Sequence, residues 1–136
     1  MGHYRLLEHT ADIGLEAWGD TRAELFIQAA LALREVLVGT SVPTNESTVS
    51  IQVDGMDDAE RLVNWLAELA FLFESRRFLP ADFILVFEGE QLSAQVTGQI
   101  AGPKLLPERE VKAVTHHQVM AEQTPQGWHG RVYLDL

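Results

Sequence analysis

Residues 9–17 read His-Thr-Ala-Asp-Ile-Gly-Leu-Glu-Ala, and this stretch is the most informative segment of the chain. Over residues 11–17 every second residue is apolar, which is the period of a β-strand with one buried face. Asp12, Gly14 and Glu16 therefore point toward the opposite face. The pattern predicts a core strand that carries an acidic residue near its beginning.

The last strand pattern of the chain has an acidic residue in a matching place. Val132 and Leu134 face inward, Asp135 faces outward, and Leu136 follows directly. If this strand and the strand within residues 9–17 are neighbours, their two aspartates converge with the main-chain carboxylate of Leu136. Carboxylates held so close together either bind a hard cation or share a proton.

The composition narrows the class of protein. A chain of 136 residues with 46% hydrophobic content fits a single globular domain over residues 1–136. The net charge of -10 disfavours binding to a nucleic-acid backbone and favours cations or a basic protein surface as partners. Without cysteine there is neither a disulfide framework nor a zinc-thiolate site.

Nothing in the sequence indicates an association with a membrane. The densest apolar run, residues 62–73, is interrupted by Asn64 and Glu68 and is too short to span a bilayer. The N-terminus lacks the charged and apolar regions of a signal peptide. We expect a cytoplasmic protein.

Two helices are marked by their N-terminal residues. Thr21 and Glu24 have the spacing of a capping box, and an apolar stripe that belongs in the core follows them. Residues 57–60 cap a second helix, whose apolar residues cover more than half of its circumference. Such a helix is either covered on most sides, which we favour, or presents an exposed face to a partner.

The remaining patterns predict strands, and one continuous apolar run, residues 83–87, predicts a strand buried on both faces. Too many strands follow one another without a helix between them for a doubly wound parallel sheet. We therefore predict a single-domain α+β fold with two α-helices and mixed or antiparallel sheets of about seven or eight strands. The strand segments lie near residues 2–8, 11–17, 49–53, 83–87, 92–96, 111–119 and 128–134.

The predicted strand over residues 111–119 carries further polar candidates. Lys112 and His116 share one face, and His117 lies on the other, so His116 is the stronger functional candidate of the two histidines. His9 can cap a turn or orient the nearby aspartate. His3 and His129 have no assigned role.

Four segments in order make the chain similar to the archease family. They are residues 9–14 (His-Thr-Ala-Asp-Ile-Gly), residues 64–69 (Asn-Trp-Leu-Ala-Glu-Leu), residues 111–117 (Val-Lys-Ala-Val-Thr-His-His) and the terminal Asp135 and Leu136. The resemblance runs from the first strand to the last residue. It implies an archease-like fold and a protein that is not itself an enzyme.

The resemblance also implies a partner and a site. Archeases assist the RtcB-type RNA ligase of tRNA splicing and RNA repair by promoting its guanylylation and multiple turnover. The family's metal-binding positions fall on Asp12, Asp135 and the main chain of Leu136, and its functional lysine falls on Lys112. Oxygen ligands of this kind suit Ca²⁺, Mg²⁺ or Mn²⁺ and leave part of the metal's coordination shell open.

Two other functional classes remain open from the sequence. A metal-dependent hydrolase would use His9, Asp12, His116 and Asp135 around one pocket and would act without a ligase. A chaperone-like binder would use the apolar second helix and would leave the acidic motif without a role.

Overall fold

The computed structural model describes residues 2–8 and 12–136. Two α-helices and eight β-strands make up this part of the chain, as the sequence predicts. In chain order the elements are β1 His3–Glu8, β2 Asp12–Gly19, α1 Arg22–Val38, β3 Ser47–Asp54, α2 Asp58–Arg76, β4 Phe78–Glu88, β5 Gln91–Ile100, β6 Ala113–Val114, β7 Met120–Thr124 and β8 Gly127–Asp135.

Helix α1 begins and ends where the sequence indicates. The Thr21 hydroxyl accepts a hydrogen bond of 3.1 Å from the Glu24 amide, which satisfies one of the free amides of the first turn. The Glu24 carboxylate accepts from Gln28 at 2.9 Å, so the reciprocal half of the capping box does not form. Gly39 ends the helix at φ 71°, a conformation that glycine adopts without a steric penalty.

Helix α2 is capped by Asp57, whose carboxylate accepts from the Glu60 amide at 2.8 Å. Its buried side includes Leu62, Trp65 and Leu69, while Phe71 remains exposed. The helix is buried along its apolar side, as the favoured prediction has it, but it also keeps an exposed side that bears Phe71. No helix in the described ranges has both the length and the apolar character that a bilayer crossing requires.

The strands form two sheets in which every described pairing is antiparallel. A five-stranded sheet has the order β1-β2-β8-β6, with β7 also paired to β8. A three-stranded sheet has the order β3-β5-β4. The predicted α+β class is confirmed.

The helices lie between the two sheets. Helix α1 contacts β2 and β8 of the larger sheet and β4 of the smaller one, and α2 contacts strands of both sheets as well. The Trp65 indole N–H, inside the core, donates a 3.0 Å hydrogen bond to the Phe26 carbonyl and ties the two helices together. A middle layer of this kind must be apolar on two sides, which explains the broad apolar surfaces of both helices.

The prediction that residues 83–87 are buried on both faces is wrong. Phe83, Leu85 and Phe87 pack against the core, whereas Ile84 is 68% exposed and Val86 49% exposed. The helices cover one face of the three-stranded sheet, and the other face of β4 is open to water. A short apolar run does not by itself show how many faces of a strand are covered.

The close approach of β5 to β4 generates a stability prediction. A Cβ atom on Gly98 would collide with the carbonyl oxygen of Leu79, next to the register shift between Pro80 and Asp82. Because this backbone cannot move aside as a flexible side chain can, we expect Gly98→Ala to lower the free energy of unfolding by about 2 kcal/mol or more. Urea denaturation monitored by circular dichroism measures the change.

The matched control for this substitution is Gly102→Ala. A Cβ atom there has no neighbour within 4 Å. We expect Gly102→Ala to change the stability by less than about 1 kcal/mol. Equal stabilities of the two variants would contradict the close packing of β4 and β5.

Candidate functional site

The acidic site lies where β2 begins and β8 ends. In the antiparallel register of these strands Asp12 lies directly opposite Asp135. Side chains in directly opposite positions project to the same face of the sheet, with Cβ atoms about 5 Å apart. Asp135 is exposed and Asp12 is half-buried. The sequence-based prediction that the two aspartates are neighbours is confirmed.

No cation of the described chain neutralises these carboxylates. The ion pairs within residues 2–8 and 12–136 involve Glu8, Glu16 and Asp58. In the same ranges, no three side chains of His, Asp or Glu are grouped closely enough to hold a metal ion. The described part of the site therefore offers two aspartates and the main-chain oxygens of the adjoining Leu136.

The Leu136 side chain packs against the core, so only the main-chain oxygens of Leu136 adjoin Asp135 as candidate ligands. Two aspartates and a main-chain carboxylate are hard oxygen donors of the kind that Ca²⁺, Mg²⁺ and Mn²⁺ prefer. The donor set fits such an ion, and it is too small to fill the six or more positions of its coordination shell. Water or a group from another molecule would have to supply the remaining ligands of such an ion.

Lys112 adjoins the site through its backbone. Its amide donates a 2.9 Å hydrogen bond to the Asp135 carbonyl, and Ala113 pairs directly with Asp135. Lys112 also lines a cavity beside α2 together with Phe73 and Glu74. It lines a smaller cavity beside Ala67, Ala70 and Phe71 of the same helix as well. Lys112 is thus close to the aspartates in the sheet but belongs to the surface on the α2 side.

The predicted strand over residues 111–119 is wrong in extent, because only Ala113–Val114 form β6. The Thr115 hydroxyl donates to the Tyr133 carbonyl at 2.9 Å and accepts from the His117 amide at 3.3 Å. Gln118 then adopts φ 52°, which turns the chain into β7. Local hydrogen bonds of a threonine side chain compete with strand pairing in this way.

The histidine candidates have different surroundings. His116 is exposed in this turn, and its carbonyl accepts from the Val119 amide. The His117 ring lies edge-on to Tyr133, with 6.1 Å between ring centroids. Tyr133 shares the face of Asp135, so His117, unlike His116, has a described ring contact on the carboxylate face. His9 lies outside the described residues.

A second polar cluster on the same face of the sheet was not predicted. Glu16 is only 5% exposed, and one of its carboxylate oxygens lies 2.6 Å from Arg5 Nε while the other lies 2.6 Å from His129 Nε2. Trp18 stacks between the rings of His3 and His129. His129 and His3 therefore have structural roles that the sequence analysis missed. Strand alternation in the sequence placed Glu16 on this face. The identity of its partners, Arg5 and His129, depends on which strands pair, and the sequence pattern does not show that.

The charge of Glu16 is stabilised by these partners. Burial raises the pKa of Glu16, but the hydrogen bonds from His129 and Arg5 outweigh it, and the pKa lies below its usual range. The cluster ties β1, β2 and β8 together and holds the register that places the aspartates opposite each other.

Comparison with known proteins agrees with this architecture. Residues 4–136 match the model of the archease protein family (MTH1598/TM1083). The chain belongs to the archease family. Protein archease of Methanosarcina barkeri is 37% identical over 98% of this chain and 95% of the relative, and that of Archaeoglobus fulgidus is 36% identical over 98% of both.

Two solved structures resemble the chain as well. The solution structure of protein 1598 of Methanobacterium thermoautotrophicum matches with a TM-score of 0.83 and 28% identity over 98% of both chains. The crystal structure of an archease described as a possible chaperone, from Thermotoga maritima, has a TM-score of 0.65 at 19% identity and covers 97% of this chain and 96% of its own. The latter supports the archease fold alone.

The Glu16 cluster generates a prediction about the pH dependence of stability. A glutamate with a lowered folded-state pKa stabilises the protein above its unfolded-state pKa of about 4.3, and this contribution is lost as the pH falls through the folded-state pKa. We expect Glu16→Gln to cost about 1–3 kcal/mol at neutral pH, because hydrogen bonds to a charged acceptor are weakened. The difference in the free energy of unfolding between Glu16→Gln and the wild type should shrink as the pH falls below about 4.3.

Urea denaturation of both proteins across this pH range measures the difference. Glu90→Gln is the matched control, since Glu90 is exposed at the turn between β4 and β5, and it should leave stability unchanged. A destabilisation by Glu16→Gln that does not vary with pH would show that the carboxylate charge is not involved.

Proposed function

We propose that this protein activates an RtcB-type RNA ligase in tRNA splicing or RNA repair, promoting guanylylation and multiple turnover without catalysing the reaction itself. The observation that carries the proposal is the register that sets Asp12 opposite Asp135 at the open end of the sheet. Membership of the archease family supports it. The metal, the ligase and the cytoplasmic location are parts of this proposal.

In this proposal Asp12, Asp135 and the main-chain oxygens of Leu136 hold one divalent cation, Ca²⁺, Mg²⁺ or Mn²⁺. Guanylylation transfers GMP from GTP to the ligase and releases pyrophosphate, so negative charge accumulates on phosphate oxygens. A bound divalent cation supplies charge stabilisation for such oxygens. The exposure of Asp135 and the small donor set leave the site accessible to another molecule's groups.

In the proposed activation of the ligase, Asp12, Asp135 and Lys112 have separate roles. Strand pairing sets Asp12 directly opposite Asp135, and in this proposal both carboxylates bind the same cation. The backbone bond from Lys112 to Asp135 holds the end of β8 in place. The Lys112 ammonium, which has no carboxylate within 4.0 Å in residues 2–8 and 12–136, is available to an anionic group of the partner complex.

Of the residues that an independent metal-dependent hydrolase would use, Asp12 and Asp135 lie opposite each other, His116 is not grouped with them, and His9 lies outside the described residues. A hydrolase would need a general base beside the metal. In the described ranges His116 does not form a metal-binding group with Asp12 and Asp135, and it sits exposed in a turn.

The first test of the proposal concerns activation. With RtcB-type ligase and GTP, we expect Asp12→Asn and Asp135→Asn each to reduce the stimulated rate of guanylylation at least tenfold. Both changes keep the side-chain shape and remove the charge that binds the cation. The formation of ligase–GMP is measured with labelled GTP.

The control is Glu90→Gln, an exposed carboxylate change at the turn between β4 and β5, which should stimulate as the wild type does. Full stimulation by both aspartate variants would rule out the acidic site as the origin of activation. Absence of stimulation by the wild-type protein would rule out the activator function.

The second test concerns the cation and needs no ligase. Binding to the native state alone raises the unfolding temperature, and a cation at a hundred times its Kd adds about 2.7 kcal/mol. We expect millimolar Ca²⁺ or Mn²⁺ to raise the melting temperature of the wild type and of Glu90→Gln, but not that of Asp12→Asn. An equal rise in all three proteins would place the cation elsewhere.

A further inference from the structure

Gly14 is buried although it lies on the face of the larger sheet that points away from the helices. Strand alternation assigns it the face of Asp12 and Glu16, while Ile13 and Leu15 point into the core. The helices contact the core face of β2. A side chain on the outward face must therefore contribute to the cover of Gly14.

The ring of Tyr133 lies across Gly14. Tyr133 is its direct strand partner on β8. A Cβ atom on Gly14 would lie 2.8 Å from Cε1 and 3.2 Å from Cδ1 of the ring, and 3.3 Å from the Cβ atom of Leu7 on β1. Gly14 has no positive φ, so the close approach of the ring, and not the backbone conformation, explains why a glycine stands here.

The ring lies directly beside the acidic site. On the outward face the pair of Gly14 and Tyr133 is the next pair after Asp12 and Asp135, about 7 Å further along the strands. Glu16 follows two residues later on β2. The Tyr133 ring therefore lies between the acidic site and Glu16, over the stretch of β2 toward which the Asp12 side chain would otherwise turn.

Tyr133 is also held from the segment that follows β6. The Thr115 amide and hydroxyl both donate to the Tyr133 carbonyl, at 3.0 Å and 2.9 Å. The His117 ring lies edge-on to the Tyr133 ring. Contacts with β2 and with this segment thus fix the position of the ring.

An aromatic ring beside carboxylates changes how they bind a cation. It displaces water from one side of the site, which reduces the screening of the attraction between carboxylate and cation. It also removes orientations that an aspartate side chain would otherwise sample, so less conformational entropy is lost when the ion binds. Both effects act through the carboxylates, and the ring itself is not a ligand.

We propose that Tyr133 is a positioning residue of the acidic site. Its ring, which only a glycine at position 14 admits, closes the side of the site toward Glu16 and confines the Asp12 carboxylate to the open end of the sheet, opposite Asp135. This inference rests on the proposed function, because it takes the acidic site to hold a divalent cation.

The inference is tested by the affinity for Mn²⁺, measured from the electron paramagnetic resonance signal of the free ion. Loss of a group that orients metal ligands commonly weakens binding by about tenfold or more, and we expect this for Tyr133→Leu. Tyr133→Phe keeps the ring and should bind Mn²⁺ as the wild type does.

Gly14→Ala tests the same ring from the other strand. Because the added methyl group collides with the Tyr133 ring, we expect this variant also to bind Mn²⁺ about tenfold more weakly. The double variant Gly14→Ala/Tyr133→Leu should bind no more weakly than Tyr133→Leu, since both substitutions remove the same wall of the site.

Gly98→Ala is the matched control for a loss of stability. Its methyl group collides with the backbone of β4, in the smaller sheet, and does not touch the acidic site. It should bind Mn²⁺ as the wild type does. Circular dichroism identifies a temperature at which all variants are folded, and the affinities are compared there.

Each other result would overturn the inference. If Asp12→Asn loses Mn²⁺ and Tyr133→Leu binds it as the wild type does, Tyr133 does not position the site, and the proposed function survives. If Tyr133→Phe is as weak as Tyr133→Leu, the ring is not the cause. If the effects of Gly14→Ala and Tyr133→Leu add in the double variant, Gly14 does not act through the ring.

Failure of the cation site itself is a separate outcome. If the wild type binds no Mn²⁺, or if Asp12→Asn binds it equally well, the acidic site does not hold the ion. The inference and the cation of the proposed function then fail together.

Discussion

The antiparallel register between β2 and β8 is the constraint on which the rest of the structure depends. On the core side it sets Ile13 opposite Leu134, and both are almost completely buried. On the other side it sets Asp12 opposite Asp135. A shift of one residue would turn the apolar side chains to water and the acids to the core, so burial of the core enforces the geometry of the acidic site.

The same constraint accounts for the buried polar cluster. Arg5 lies directly opposite Glu16 across β1 and β2, and His129 reaches Glu16 from β8. A carboxylate with hydrogen bonds to two neighbouring strands rigidifies the register. The face that carries the aspartates is thus tied together by charge, while the opposite face is held by apolar packing.

The parts of the fold that depend on local patterns could be predicted from the sequence. Thr21 and Asp57 mark the starts of the two helices because side-chain caps act within one turn, and strand alternation identified Asp12 and Asp135. Burial of residues 83–87 on both faces was predicted wrongly because the absence of a covering layer is not visible in a local pattern.

Tertiary contacts explain what the sequence could not reveal about the site. Glu16 and His129 are 113 positions apart, and only strand pairing brings them together. β6 ends at Val114, and the Thr115 side chain then bonds to the Tyr133 carbonyl and the His117 amide.

The proposed function depends most directly on where a divalent cation binds. Titration of the ¹⁵N-labelled protein with substoichiometric Mn²⁺, followed by paramagnetic broadening of amide signals, locates the ion without reference to activity. If the cation binds at the acidic site, broadening is strong at Asp12, Asp135 and Ala113 and absent on β3 and β5. Broadening spread evenly over the exposed acidic residues, or centred on another part of the surface, would contradict it.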